Sequence, residues 1–156
     1  NSRIVPDAIR AYEANKELLI RMPNATRPWQ HVLEPLMGYL LLAANMYDKP
    51  KKYDGAWNFG PSTRKNLTVG ELVSRIGSQF KGLKYKTINN DIYEPNYLRL
   101  SSLKAKKKLR WEKILTDKEM IHLIAEWYLN YEKEDMYNLC SEQIKYYLER
   151  YNARSN

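Results

Sequence analysis

Two tyrosine–lysine pairs in this chain have a spacing that could carry acid–base chemistry. Tyr12 and Lys16, and again Tyr47 and Lys51, stand four residues apart. On a helix that spacing brings an ammonium beside a phenol, and the positive charge lowers the phenol's pKa toward that of a working base. Neither pair has a serine or threonine close by to complete a proton relay, and no Gly-rich nucleotide loop precedes either one. With 13 tyrosines in the chain, such matches arise by chance, and both are set aside. Cys140 and His122 fall on helical faces that packing explains. One cysteine and two histidines exclude an internal disulfide and argue against a protein-built metal site.

A second candidate is the segment Thr26-Arg27-Pro28-Trp29-Gln30-His31-Val32-Leu33-Glu34-Pro35, which runs into the apolar stretch Leu36 to Asn45. Arg27 beside a proline, with Trp29 to pack beneath it, could hold a guanidinium rigidly toward a phosphate. An arginine in a surface turn explains the same residues equally well. A third candidate is the basic run Lys104 to Arg110, which could neutralise the phosphates of a nucleic acid. No aromatic side chain interleaves its lysines for base stacking, so the solvated side of a short helix is the better reading. The net charge of +8 and sequence pI near 9.4 point to an anionic partner: nucleic acid, nucleotide or phosphosugar.

The elements that must position these residues follow from periodicity. Ile4, Val5, Ala8, Ile9 and Tyr12 predict a helix, and Leu18 to Ile20 a short strand. Leu33, Leu36, Met37, Leu40, Leu41, Ala44 and Tyr47 predict a helix so apolar that a central place is expected for it. Ala56 to Phe59 reads as a buried strand stopped by Gly60-Pro61, Leu83 to Ile88 as another, and Tyr97 to Leu100 as a shorter one. Thr68-Val69-Gly70-Glu71 and Thr116-Asp117-Lys118-Glu119 are capping boxes opening two helices. A short basic helix spans Ser102 to Leu109, and a last helix carries Cys140, Ile144, Tyr147, Leu148 and Tyr151. The fold class is α/β, in a mixed α+β arrangement of about six helices and a few short strands. Strands so short and scattered are expected to complete a sheet that another segment supplies.

At 156 residues and 44% hydrophobic, the chain has the size and core of one domain. No apolar run reaches the ~18 residues of a membrane span, and no secretory pattern is present, so the cytoplasm is the expected compartment, with no membrane partner. Two Asn-x-Thr triplets, at Asn24 and Asn66, are taken as chance. The chain begins Asn1-Ser2 without a methionine, and a piece of a longer protein is expected.

The order of motifs resembles the C-terminal half of an extended short-chain dehydrogenase/reductase acting on sugar nucleotides, in particular the CDP-glucose 4,6-dehydratases. The resemblance rests on Arg3-Ile4-Val5-Pro6-Asp7, Ile20 to Ala25, Arg27 to Pro35, Gly38 to Ala43 and Gly55 to Pro61. Glu94 to Leu98, Lys104-Ala105, Leu109, Trp111, Glu126 to Tyr128 and Leu139 to Ile144 complete it. It implies that residues 1–156 are a single substrate-binding region of an NAD-dependent lyase, without the N-terminal NAD-binding Rossmann domain. It also implies a nucleotide-sugar substrate (CDP-glucose), a place in deoxysugar synthesis and a homo-oligomeric full-length enzyme. Residue by residue, Arg27 would grip the diphosphate, Asn58 would help hold the phosphates, Glu94 would lie near the ribose, Arg21 near the base, and Arg3 before the segment lining the nucleotide pocket. No catalytic residue and no metal ligand is expected here. The sequence departs from the family at Ser101, where an aspartate is usual, at Arg110, where a glycine is usual, and at Tyr93, where a histidine is expected. The alternative from another class is a free-standing basic module that binds nucleic acid or another anion without catalysis.

Overall fold

The computed structural model describes residues 3–61, 66–88, 100–133 and 135–155. Among these residues, seven helices and two strands run in the order α1 (Ile4–Glu13), β1 (Glu17–Ile20), α2 (Leu33–Asp48), α3 (Pro50–Tyr53), α4 (Val69–Gly77), β2 (Lys84–Thr87), α5 (Leu103–Leu109), α6 (Asp117–Asn130) and α7 (Met136–Ser155). The mixed α/β class holds. The strands pair in parallel, Glu17 opposite Lys84 through Ile20 opposite Thr87. Two parallel strands of four residues do not make a self-sufficient sheet.

Both capping boxes form. The Thr68 hydroxyl accepts from the Glu71 amide while the Glu71 carboxylate accepts from the Thr68 amide, and Thr116 and Glu119 do the same for α6. Leu18 and Ile20 point from β1 onto Ala8 of α1 and Val73 of α4. Ile9, Leu72, Ile76, Phe80, Met120 and Ile121 make the larger core between α1, α4 and α6. A separate cluster of Tyr53, Phe59, Ala105, Leu109 and Trp111 joins α3 and α5 to α2.

Four expectations change. The segment Ala56 to Phe59 is not a strand. Its side chains alternate, with Trp57 and Phe59 turned inward and Asn58 exposed. Its bonds, however, go to side chains: the Gln30 amide donates to the Phe59 carbonyl and Lys104 to the Ala56 carbonyl. The short helix α3 was not foreseen, and α7 is longer than its apolar stripe suggested. Helix α2 is not central. Only Glu34 and Gly38 are buried along it, while Leu36, Tyr39, Leu40 and Tyr47 are exposed, Tyr47 at 91%. Residues 97–99 of the fourth predicted strand, and Tyr93 and Glu94 with them, lie outside the described residues.

Arg110 stands where the resemblance leads one to expect a glycine. It sits at φ 55° and ψ 24°, in the left-handed region that closes α5. Glycine adopts this conformation freely and other residues only at a cost.

Candidate functional site

The segment 23–34 is a strap bound at nearly every residue. The carbonyls of Pro23 and Ala25 accept from the Gly70 and Val69 amides at 2.8 and 2.9 Å. Thr26 bridges Thr68 in antiparallel fashion, Trp29 Nε1 donates to the Leu67 carbonyl at 3.0 Å, and Gln30 Nε2 to Phe59 at 2.8 Å. These bonds consume the first amides of α4. That helix N-terminus therefore offers nothing to an anion, and any grip on one must come from side chains.

Arg27 stands in the middle of the strap, half-buried, with Nη1 donating to the Thr26 carbonyl at 3.0 Å. Trp29 packs against the large core, so the backbone next to Arg27 is anchored on both sides. Asn58 is exposed and adjoins Phe59, whose carbonyl Gln30 holds, so strap and Asn58 segment are neighbours.

Arg21 follows the last residue of β1, and Arg3 is the N-cap of α1. Only three residues join the two elements. Ala8 of α1 packs on Leu18 and Ile20 of β1, so the chain doubles back between these elements of similar length, about 15 and 13 Å, and Arg3 and Arg21 fall toward one end. That end is the carboxyl end of the parallel pair, where open α/β sheets take their ligands. Both side chains are exposed. Glu94 lies outside the described residues.

The strap ends on a residue no sequence reading singled out. Glu34 is 0% exposed. Its carboxylate accepts from the Ile114 amide at 3.0 Å, the Leu115 amide at 2.7 Å and the Tyr147 hydroxyl at 3.0 Å. Its backbone carbonyl accepts from Trp111 Nε1 at 3.0 Å. Burial holds its pKa above the ordinary carboxylate value, and the two amides, Tyr147 and Lys113 offset only part of that rise. The carboxylate ties strap, the 111–115 loop and α7 into one unit. Sequence alone could not distinguish it from an ordinary first-turn glutamate.

Beside the strap, between α1, α6 and α7, opens a cavity of about 710 Å³. Arg3, Gln30 and His31 line it together with Trp127, Cys140 and Gln143. Its size suits a nucleotide-sized ligand. The Tyr-x-x-x-Lys pairs are not catalytic geometries: Tyr47 stands in solvent, and Lys16 lies beyond the end of α1. The basic helix is partly engaged, with Lys104 lying 4.1 Å over the Trp57 ring and Lys106 paired to Glu112. Among the described residues there is no group of His, Cys, Asp or Glu fit to hold a metal, and no helix long and apolar enough to cross a membrane.

Comparison with known proteins agrees with this picture. The chain is 32% identical over 143 residues to the CDP-glucose 4,6-dehydratase of Salmonella typhimurium, covering 90% of this chain and 40% of that protein. No family model matches. Among solved structures it superposes on the UDP-glucose-4-epimerase of Stenotrophomonas maltophila, with bound NAD and formylated UDP-arabinopyranose, at a TM-score of 0.69 and 13% identity, covering 85% and 41% of the two chains. It superposes likewise on the UDP-glucuronic acid 4-epimerase of Bacillus cereus, in complex with UDP-glucuronic acid and NAD, at 0.67 and 14%, covering 83% and 40%. The resemblance to the extended short-chain dehydrogenase/reductases acting on sugar nucleotides is borne out, in sequence by the first and in fold by the others. The chain spans about two fifths of the length of each.

Proposed function

We propose that this chain is the substrate-gripping part of an NAD-dependent CDP-glucose 4,6-dehydratase. The observation that supports it best is the 32% identity extending over 90% of the chain. In this reading Arg27 holds the diphosphate, with Asn58 beside it; Arg21 and Arg3 serve the nucleotide end, and Glu94 the ribose. The bonds that fix the strap on both sides of Arg27 support the first role, because a guanidinium on an anchored backbone loses little freedom on binding.

The residues of this chain do not fit a dinucleotide. Its six glycines form no G-x-G-x-x-G run, and no tyrosine–lysine pair is placed for catalysis. NAD and the chemistry belong to the remainder of a longer protein. We place that remainder, a dinucleotide-binding unit, against the exposed apolar face of α2.

The test is on Arg27 in the full-length protein. Arg27→Ala should weaken CDP-glucose binding by roughly 1.5–3 kcal/mol, the range for hydrogen bonds to charged groups. Arg27→Lys should recover only part, since it keeps the charge and loses the two-pronged geometry. NAD affinity should not move. Calorimetry showing the parent's affinity for CDP-glucose in Arg27→Ala sinks the assignment. The basic-module alternative predicts instead that nucleic acid binds and CDP-glucose does not.

A further inference from the structure

His31 is the one strap histidine, and it is buried at the start of α2. Its side chain is 7% exposed, and its Nδ1 accepts the Leu33 amide at 3.4 Å. A ring nitrogen that accepts a hydrogen bond carries no proton, so the neutral imidazole holds its proton on Nε2. The Glu34 amide donates to the His31 carbonyl at 3.1 Å, which seats the residue on the first turn of α2. Among the described residues, the enclosed side-chain polar atom without a partner is Gln30 Oε1. His31 lines the 710 Å³ cavity, so the ring has open space beside it.

The cavity's chemistry is that of a site for acceptors. Arg3, the N-cap of α1, brings a guanidinium, and among the described residues no carboxylate lines the walls. Leu33, Trp127 and Ile144 supply apolar surface. A ligand rich in oxygen acceptors and neutral or anionic in charge fits such walls; a cation does not.

We propose that His31 is a binding residue of this cavity, its Nε2–H donating to an acceptor oxygen of a nucleotide sugar held there. This rests on the nucleotide-sugar reading above. The titratable groups that line the cavity with His31 are Arg3 at the N-cap of α1, Tyr128 from α6 and Cys140 from α7, while Glu34 on its own turn is engaged by Ile114, Leu115 and Tyr147. None of these favours an imidazolium, and burial lowers the His31 pKa from its ordinary 6.5. The histidine therefore acts as a neutral donor at physiological pH.

The experiment measures CDP-glucose affinity by calorimetry in the full-length protein, for the parent, His31→Phe, His31→Gln and Arg27→Ala, from pH 6 to 8. His31→Phe should bind about tenfold more weakly, and His31→Gln, whose amide N–H reaches about as far as Nε2, should recover most of that. Parent affinity should stay level across the range. If Arg27→Ala is impaired and His31→Phe binds like the parent, the His31 role falls and the site reading stands. If neither variant is impaired, the site reading falls as well. Should both His31 variants bind tenfold more weakly with the parent's melting temperature, a donor at this position is not what counts. Affinity rising tenfold toward pH 6 in the parent and not in His31→Gln would mean a cationic histidine, which overturns the proposal.

Discussion

At the scale of single residues, Arg110 and Glu119 make the most direct predictions. A non-glycine residue in the left-handed region costs about 1–2 kcal/mol, and a glycine returns about 0.4–1 of that through the freer unfolded chain. Arg110→Gly should therefore stabilise the protein by about 0.5–1 kcal/mol in a denaturant titration. Glu119 works through pH. Burial pushes its pKa up, but the Thr116 hydroxyl and amide, the Tyr146 hydroxyl and Arg150 outweigh this and hold it down to about 2. A carboxylate depressed from 4.5 in the folded state contributes stability that is present above pH 4.5 and lost as pH falls toward 2. Glu119→Gln should melt lower than the parent at pH 7, and the gap should close across that acid window. Equal melting temperatures at pH 7 would refute the assignment.

At the scale of elements, α2 carries the argument. Its buried side holds Gly38, where an added Cβ would come within 2.3 Å of the Phe59 ring. That ring stacks edge-on against Trp111 and Tyr39, and its backbone carbonyl is the one Gln30 grips. Alanine suits helices better than glycine by about 1 kcal/mol, but overpacking of this kind costs about 1–3. Gly38→Ala should lower stability by about 1 kcal/mol and weaken CDP-glucose binding, because Phe59 must move and Asn58 moves with it. Unchanged stability and binding would show that the site does not depend on this contact. The outer side of the same helix, Leu36, Leu40 and Tyr47, has nothing over it among the described residues. Apolarity all around a helix implied a buried one, and the expectation of a central α2 followed that rule. The rule counts apolar residues around the helix and does not say which element of the chain would cover them.

At the scale of the whole molecule, the exposed face of α2 and a two-stranded sheet leave apolar surface in water. The 156-residue chain by itself should self-associate as its concentration rises, read by sedimentation velocity. Leu36→Glu with Leu40→Glu should reduce that association and leave the melting temperature close to the parent's. A clean monomer at all concentrations would count against a missing neighbour on this face. The same chain should show no dehydration of CDP-glucose in the presence of NAD, and turnover well above buffer would move the chemistry into this segment.

What the sequence determined by itself was largely local. Capping boxes at Thr68 and Thr116, the periodicity of α1, α4 and α6, and the short apolar run in β1 are short-range signals, and each element formed where it was expected. The strap was legible as a motif because Arg27, Pro28 and Trp29 are an unusual run before an apolar helix. Tertiary structure decided the rest. Whether Ala56 to Phe59 would be a strand depended on a partner for its backbone, and side chains from Gln30 and Lys104 took that place. Glu34 became a buried hub only because Ile114, Leu115 and Tyr147, 80 to 113 residues away, converge on it. His31 acquired a definite tautomer from the Leu33 amide and an open side from the meeting of α1, α6 and α7. Hydrogen-bond partners across such separations leave no periodic trace in the chain, so only the folded arrangement could assign them.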